Sequence, residues 1–222
     1  MLSPQLTNEL VNDFLHHAPG DHGAQAFAAY CEHWRATGVV RPKGVDISVN
    51  QALIKAIMAE TGLLAIVTEH LGLAPAEIVF NAKIDTLIRL SVERKLIDNW
   101  DDALEIHRDV DSFKFVKAFF YLEPVEEGCG HHEVYLNSHQ NLPLGLKVIR
   151  RYTEADLVKN AIPVKLKKVV GDKGYGFIEN TTAFHRGTIP TKGDRILLAM
   201  CFNDKKSNLY GNEFKPLAGL LA

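Results

Sequence analysis

Apolar residues recur at helical spacing at the start of the chain: Leu6, Leu10, Phe14 and Leu15 share one face before Pro19-Gly20 breaks the pattern. The spacing predicts a second helix from about His22 to Thr37, with Ala24, Phe27, Ala28, Tyr30, Cys31 and Trp34 as its apolar surface and Gly38 as its stop. Val49 to Ala59 and Leu63 to Leu71 read as two further helices, punctuated by Gly62 and Gly72. From Pro75 the character changes. Short runs rich in β-branched and aromatic residues follow at Glu77–Phe80, Ile84–Val92, Phe113–Leu122, Glu133–Leu136, Ala161–Val170, Gly176–Glu179 and Ile196–Phe202. Helices first and seven short strands after them predict an α+β chain with a mainly β core, a jelly roll of the cupin-like kind. Residues 1–74 read as a helical support region and 75–222 as the jelly-roll core of one domain. No linker rich in Pro, Ser or Gly divides them.

Composition narrows the classes. The 222 residues are 46% hydrophobic, ample for one packed core, and 25 basic against 27 acidic residues give a formal charge of −2. That balance offers no field for nucleic acid or an anionic membrane. No run of about eighteen apolar residues predicts a membrane span, and the first residues do not resemble a signal peptide. Three cysteines, Cys31, Cys129 and Cys201, are odd in number and lack the C-x-x-C spacing. They argue for a reducing compartment and a cytoplasmic protein. Cys129 and Cys201 read as small buried apolar side chains.

The chemistry concentrates in His107-Arg108-Asp109, His185 and Arg195. In a strand, residues i and i+2 point to one side, so His107 and Asp109 can aim an imidazole and a carboxylate at one point while Arg108 faces away. An isolated H-x-D tripeptide is commonly chance, and a third ligand must come from a distant strand. His185, within Phe184-His185-Arg186-Gly187, is the best candidate. Two imidazoles and one carboxylate form the ligand set of a mononuclear non-haem Fe(II) oxygenase. Arg195 follows ten residues later, at the mouth of the apolar run Ile196–Met200. A guanidinium there is costly unless a carboxylate meets it, and the far carboxylate of 2-oxoglutarate is such a partner.

The segments "HRDVDSFKFVKAFFYLEPVEEGCG", "VYLNSHQ" and "GFIENTTAFHRGTIPTKGDRILLAMCF" resemble the phytanoyl-CoA dioxygenase-like branch of the Fe(II)/2-oxoglutarate oxygenases, over roughly Ala74 to Phe202. The resemblance implies a double-stranded β-helix in which His107, Asp109 and His185 bind Fe(II) and Arg195 holds the distal carboxylate of 2-oxoglutarate. It further implies a dioxygenase that uses O2 to hydroxylate a small-molecule substrate, releasing succinate and CO2. Leu136-Asn137-Ser138-His139 departs from that family's usual P-G-S-H turn, at a histidine that is not its metal ligand. Retention of Asp109 argues against a halogenase.

Other residues rank lower. Alternation places Lys117 with Phe113, Phe115, Phe119 and Tyr121, pointing into the barrel to bind an anion or snorkelling to its rim. Asn81 and Lys83 are expected to line the same cavity, or else to be solvated, and Thr188 to offer the co-substrate a hydroxyl or to stabilise a turn. His131 and His132 read as solvated residues of a Gly-rich turn, His139 as a turn residue, and His16 and His17 as helix-dipole partners. His-Arg-Asp also occurs in the protein-kinase catalytic loop, but the following Asn, the Gly-rich loop and Asp-Phe-Gly are missing. Two rivals stand beside the oxygenase: a non-catalytic jelly-roll metal-binding or regulatory protein, and a cupin-like isomerase or hydrolase using its metal as a Lewis acid. No sequence feature assigns the substrate or the oligomeric state.

Overall fold

In the computed structural model the described residues are 1–19, 26–90, 104–140, 142, 151–162, 165–209 and 213–220. Helix α1 (Pro4–His17) starts where the Ser3 hydroxyl accepts from the Leu6 N–H, and its buried stripe is Leu6, Thr7, Leu10, Val11, Phe14 and Leu15. Helix α2 (Phe27–Thr37) follows; the portion of the predicted helix at 22–25 lies outside the described residues. Helices α3 (Gln51–Thr61) and α4 (Leu63–Leu71) meet at Gly62, whose φ of 65° ends one helix and starts the next, a conformation that favours glycine. No single helix among the described residues is long and apolar enough to cross a membrane.

The strands form two antiparallel sheets. The larger joins β1 (Val45–Asp46), β2 (Ile78–Leu87), β4 (Phe115–Tyr121), β8 (Gly176–Glu179) and β10 (Arg195–Asp204) in the order β1-β2-β10-β4-β8, with β11 (Lys215–Pro216) also on β2. The smaller runs β6-β3-β9-β5-β7, from β3 (Ile106–His107), β5 (His132–Tyr135), β6 (Arg151–Tyr152), β7 (Leu166–Val169) and β9 (His185–Gly187). This is the predicted jelly roll. The helices cover one face of the larger sheet, and the smaller sheet and a cavity lie on the other.

Alternation along three strands builds both faces. Phe80, Ala82 and Ile84 of β2, Val116, Ala118 and Phe120 of β4, and Ile196, Leu198, Met200 and Phe202 of β10 form one apolar cluster with Leu10, Phe14, Tyr30, Ile57 and Val67 from the helices. Each large side chain buried there contributes about 2 kcal/mol. Their neighbours Asn81, Lys83, Asp85, Lys117, Phe119, Arg195, Leu197, Ala199 and Cys201 line the cavity.

Three expectations are corrected. The two runs Glu77–Phe80 and Ile84–Val92 are one continuous strand over Ile78–Leu87; its inward Asn81, Lys83 and Asp85 imitate a break in the apolar pattern, and residues 91–92 lie outside the described residues. Phe113 is 95% exposed and precedes β4, so it does not share the inward row of Lys117. The run Ala161–Val170 shortens to Leu166–Val169, with residues 163–164 outside the described residues. A short helix, α5 (Glu154–Lys159), precedes it, begun by a Thr153–Asp156 capping box that the strand-oriented reading passed over.

Tyr30 ties the helices to this sheet: it is fully buried, 3.4 Å from the Thr86 hydroxyl, and burial pushes its phenol from 10.0 up to about 12. A raised folded-state pKa gives stability that is present below the unfolded value and lost as pH rises through the folded one. Wild type should therefore lose about 2 kcal/mol more than Tyr30→Phe between pH 10 and 12 in urea titrations. Equal losses would show that the phenol is not held neutral by burial.

Candidate metal centre

Strands β3 and β9 pair so that His107 lies directly opposite His185, with ring centroids 4.2 Å apart. Each ring is oriented by a backbone carbonyl two residues earlier: His107 Nδ1 lies 2.8 Å from the Glu105 oxygen, and His185 Nδ1 lies 2.9 Å from that of Ala183. Donation from Nδ1 assigns the tautomer and leaves the Nε2 lone pair free in each neutral ring. Asp109 lies beyond the end of β3, and its N–H donates to the Thr181 carbonyl at 2.8 Å. Strand geometry therefore carries His107, and a backbone bond to the β8–β9 connection carries Asp109.

The Asp109 carboxylate stands 3.8 Å from His107 Nε2 and 3.6 Å from His185 Nε2, and one donor atom from each residue lies within 4.8 Å of the others. The first distance runs to Oδ1 and the second to Oδ2; an ion bound at about 2.1 Å by each donor spans separations up to about 4.2 Å, which each of them satisfies. Burial pushes the His185 imidazole down to about 4, against the pull of Asp109, so the ring is neutral at pH 7. Burial would raise the Asp109 carboxyl, but Lys117, His185 and His107 outweigh it and hold the group well below the usual carboxylate range. The donor set is one carboxylate and two imidazoles, which suits a divalent cation. Arg108 lies outside the cavity lining and donates from Nε to the Thr182 carbonyl at 3.3 Å.

The cavity measures about 370 Å³. Arg195 lines it from the first position of β10, 6% exposed, with Nη1 donating to the Gly130 carbonyl at 2.7 Å. Its Nε has no hydrogen-bond partner, and among the described residues no carboxylate pairs with it. Burial pushes this guanidinium down to about 10, so it remains charged at neutral pH. A buried cation with an unpartnered N–H fits an incoming carboxylate.

The remaining expected residues divide. Asn81 and Lys83 line the cavity, Lys83 standing 3.9 Å from Glu213. Lys117 points inward as alternation requires, but its ammonium is taken up by Asp109 at 2.7 Å and Asp111 at 2.8 Å. Thr188 is not among the cavity-lining residues: its hydroxyl donates to the His131 carbonyl and lies 3.0 Å from His131 Nδ1.

His131 and His132, read from sequence as solvated, are 6% and 4% exposed. His132 begins β5, lines the cavity, stacks on His185 with centroids 5.4 Å apart, and holds Glu179 through Nε2 at 2.7 Å. Burial would raise the Glu179 carboxyl; His132 and His185 outweigh it and keep the group below its ordinary value. Extending the predicted strand Glu133–Leu136 by one residue puts His132 on the face of Val134, a signal the glycines of the preceding turn concealed. Asp111 likewise shares the i, i+2 parity of His107 and Asp109.

No protein-family model matches the chain, and no curated protein matches it. Solved structures do. HygX from Streptomyces hygroscopicus with nickel and 2-oxoglutarate bound is 18% identical, covering 91% of this chain and 79% of its own, with a TM-score of 0.53. The apo form of ThoJ, a non-heme monooxygenase, is 12% identical over 97% of this chain and 73% of its own, with a TM-score of 0.52. SnoN, a non-heme alpha ketoglutarate-dependent epimerase from nogalamycin biosynthesis, is 13% identical over 91% and 82%, with a TM-score of 0.50. At these identities the likeness is one of fold.

Arg195→Met removes a buried charge whose acceptor among the described residues is the Gly130 carbonyl. The free protein should melt at the wild-type temperature or above it, because an unpaired buried ion costs more than an apolar replacement. A fall of more than about 5 °C would make Arg195 a structural residue.

Proposed function

We propose that the protein is an Fe(II)- and 2-oxoglutarate-dependent dioxygenase that hydroxylates a small molecule with release of succinate and CO2. The observation that carries this reading is the shared cavity: the cluster His107, Asp109 and His185 opens on the same space as Arg195, a buried guanidinium without a carboxylate partner among the described residues. The order of these motifs supports a place in or near the phytanoyl-CoA dioxygenase-like branch. A cytoplasmic setting suits the three free thiols.

Iron with 2-oxoglutarate, when bound, supplies the oxidation: one oxygen atom goes to the substrate C–H bond and the other to succinate as CO2 leaves. The chain's own task is positioning. His107 and His185 are held in orientation by their Nδ1–H bonds, His185 need lose no proton at neutral pH, and Asp109 supplies the negative charge. The Arg195 fork suits the far carboxylate of the co-substrate, and Leu87, Leu104 and Leu197 keep water from that end. Asn81, Lys83 and Asp85 form a polar wall along β2 for a small polar substrate, which a cavity of about 370 Å³ accommodates. Lys117 and Asn81 stay within reach of the co-substrate; the hydroxyl of Thr188 serves His131 instead.

Aerobic incubation with Fe(II) and 2-oxoglutarate should yield succinate in the wild type, even uncoupled from substrate, and His107→Ala and His185→Ala should lower it by about a hundredfold or more. Arg195→Leu should raise the KM for 2-oxoglutarate by about tenfold or more. Iron-dependent succinate release that survives both histidine changes, or a KM unmoved by Arg195→Leu, would defeat the corresponding assignment.

A further inference from the structure

Lys117 and Asp111 have no part in the triad, yet they are bound to it. Lys117 sits on β4 between Cys201 of β10 and Glu179 of β8 in the sheet register, on the cavity face. Its ammonium meets Asp109 Oδ2 at 2.7 Å and Asp111 Oδ2 at 2.8 Å. The same Asp109 oxygen is the one nearest His185 Nε2, at 3.6 Å. A divalent cation drawing on Asp109 and His185 would therefore share a carboxylate with an ammonium in a largely buried place, where like charges repel with little screening. Asp111 is 6% exposed and offers the ammonium a second anchor; the Cys201 thiol, which can donate to only one acceptor, lies 3.6 Å from it and 3.5 Å from Asn203 Oδ1. The neighbouring carboxylate, Glu179, is engaged through Oε2 by His132, while its buried Oε1 has no hydrogen-bond partner among the described residues.

We infer that Lys117 and Asp111 form a charge couple that sets metal affinity: Lys117 is the counter-ion of Asp109 without metal, and Asp111 retains that ammonium when a divalent cation takes Asp109. Both are positioning residues. Asp111 lies outside the three-residue metal cluster, and the ammonium between the two carboxylates is what holds it apart. The couple thus keeps Asp111 out of the metal's ligand set. The inference rests on the metal-centre reading of His107, Asp109 and His185.

The two charges act on a cation in opposite directions, which an ordinary structural salt bridge would not do. Co(II) binding to the full chain, after chelator treatment, can be measured by calorimetry and by cobalt absorption. Lys117→Met should bind Co(II) about tenfold tighter or more, and Asp111→Asn about tenfold weaker or more. The double variant, with both charges gone, should return close to wild type. Weakening in both single variants, or no shift in either, overturns the inference. Should Lys117→Met fail to fold, recovery of affinity in the double variant relative to Asp111→Asn decides the question, and a double variant weaker still overturns it. A wild type that binds no cobalt would instead defeat the metal-centre reading.

Discussion

Side chains alternate from one face of a strand to the other, and in β2, β4 and β10 that alternation separates a dry interior from a charged one. Ile84, Phe120 and Leu198 lie against the N-terminal helices, while Lys83, Lys117 and Cys201 face the cavity. Neither face stands without the other. The apolar cluster supplies the burial that holds the sheet against the helices, and the strands so held carry lysine, asparagine and aspartate into the cavity. A slip of one residue in the pairing of β10 with β2 would turn Arg195 toward the helices and Ile196 toward the cavity.

Charge placed in that space has to be matched. Lys117 is matched twice, by Asp109 and Asp111, and Glu179 by His132. Among the described residues Arg195 has one carbonyl acceptor and an N–H left over, and Glu179 Oε1 is likewise without a partner. Buried networks that are fully satisfied serve the fold, whereas an incompletely satisfied charge costs stability that a ligand can return. The unmatched guanidinium accordingly marks the part of the cavity that suits an anion. The smaller sheet adds the imidazoles, each fixed at Nδ1 by its own backbone, so that their orientation costs little when a cation arrives.

Much of this was legible in sequence, for identifiable reasons. Helices α1, α3 and α4 follow from apolar spacing and from Gly62 and Gly72, and β4 and β10 from uninterrupted β-branched and aromatic runs. His107, Asp109 and His185 stood out through residue type and order, and they meet within 4.8 Å. Where the reading failed, inward-facing polar residues were the cause. Asn81, Lys83 and Asp85 made one strand look like two, and glycines at 128 and 130 made His131 and His132 look solvated. Phe113 shows the converse: an aromatic side chain beside a strand is not proof of burial.

By itself the sequence determined the periodicities, and with them the helices, most of the strands and which faces are apolar, because each of those depends on neighbours a few residues away. It also determined which donors were on hand. Only the tertiary structure decided which polar groups meet: His107 with His185, Lys117 with Asp111 as well as Asp109, His132 with Glu179, and Thr188 with His131 rather than with the cavity. All but one of those encounters cross between strands or connections distant in the chain. Their partners are selected by register and sheet packing, and those are cooperative properties that no local pattern encodes.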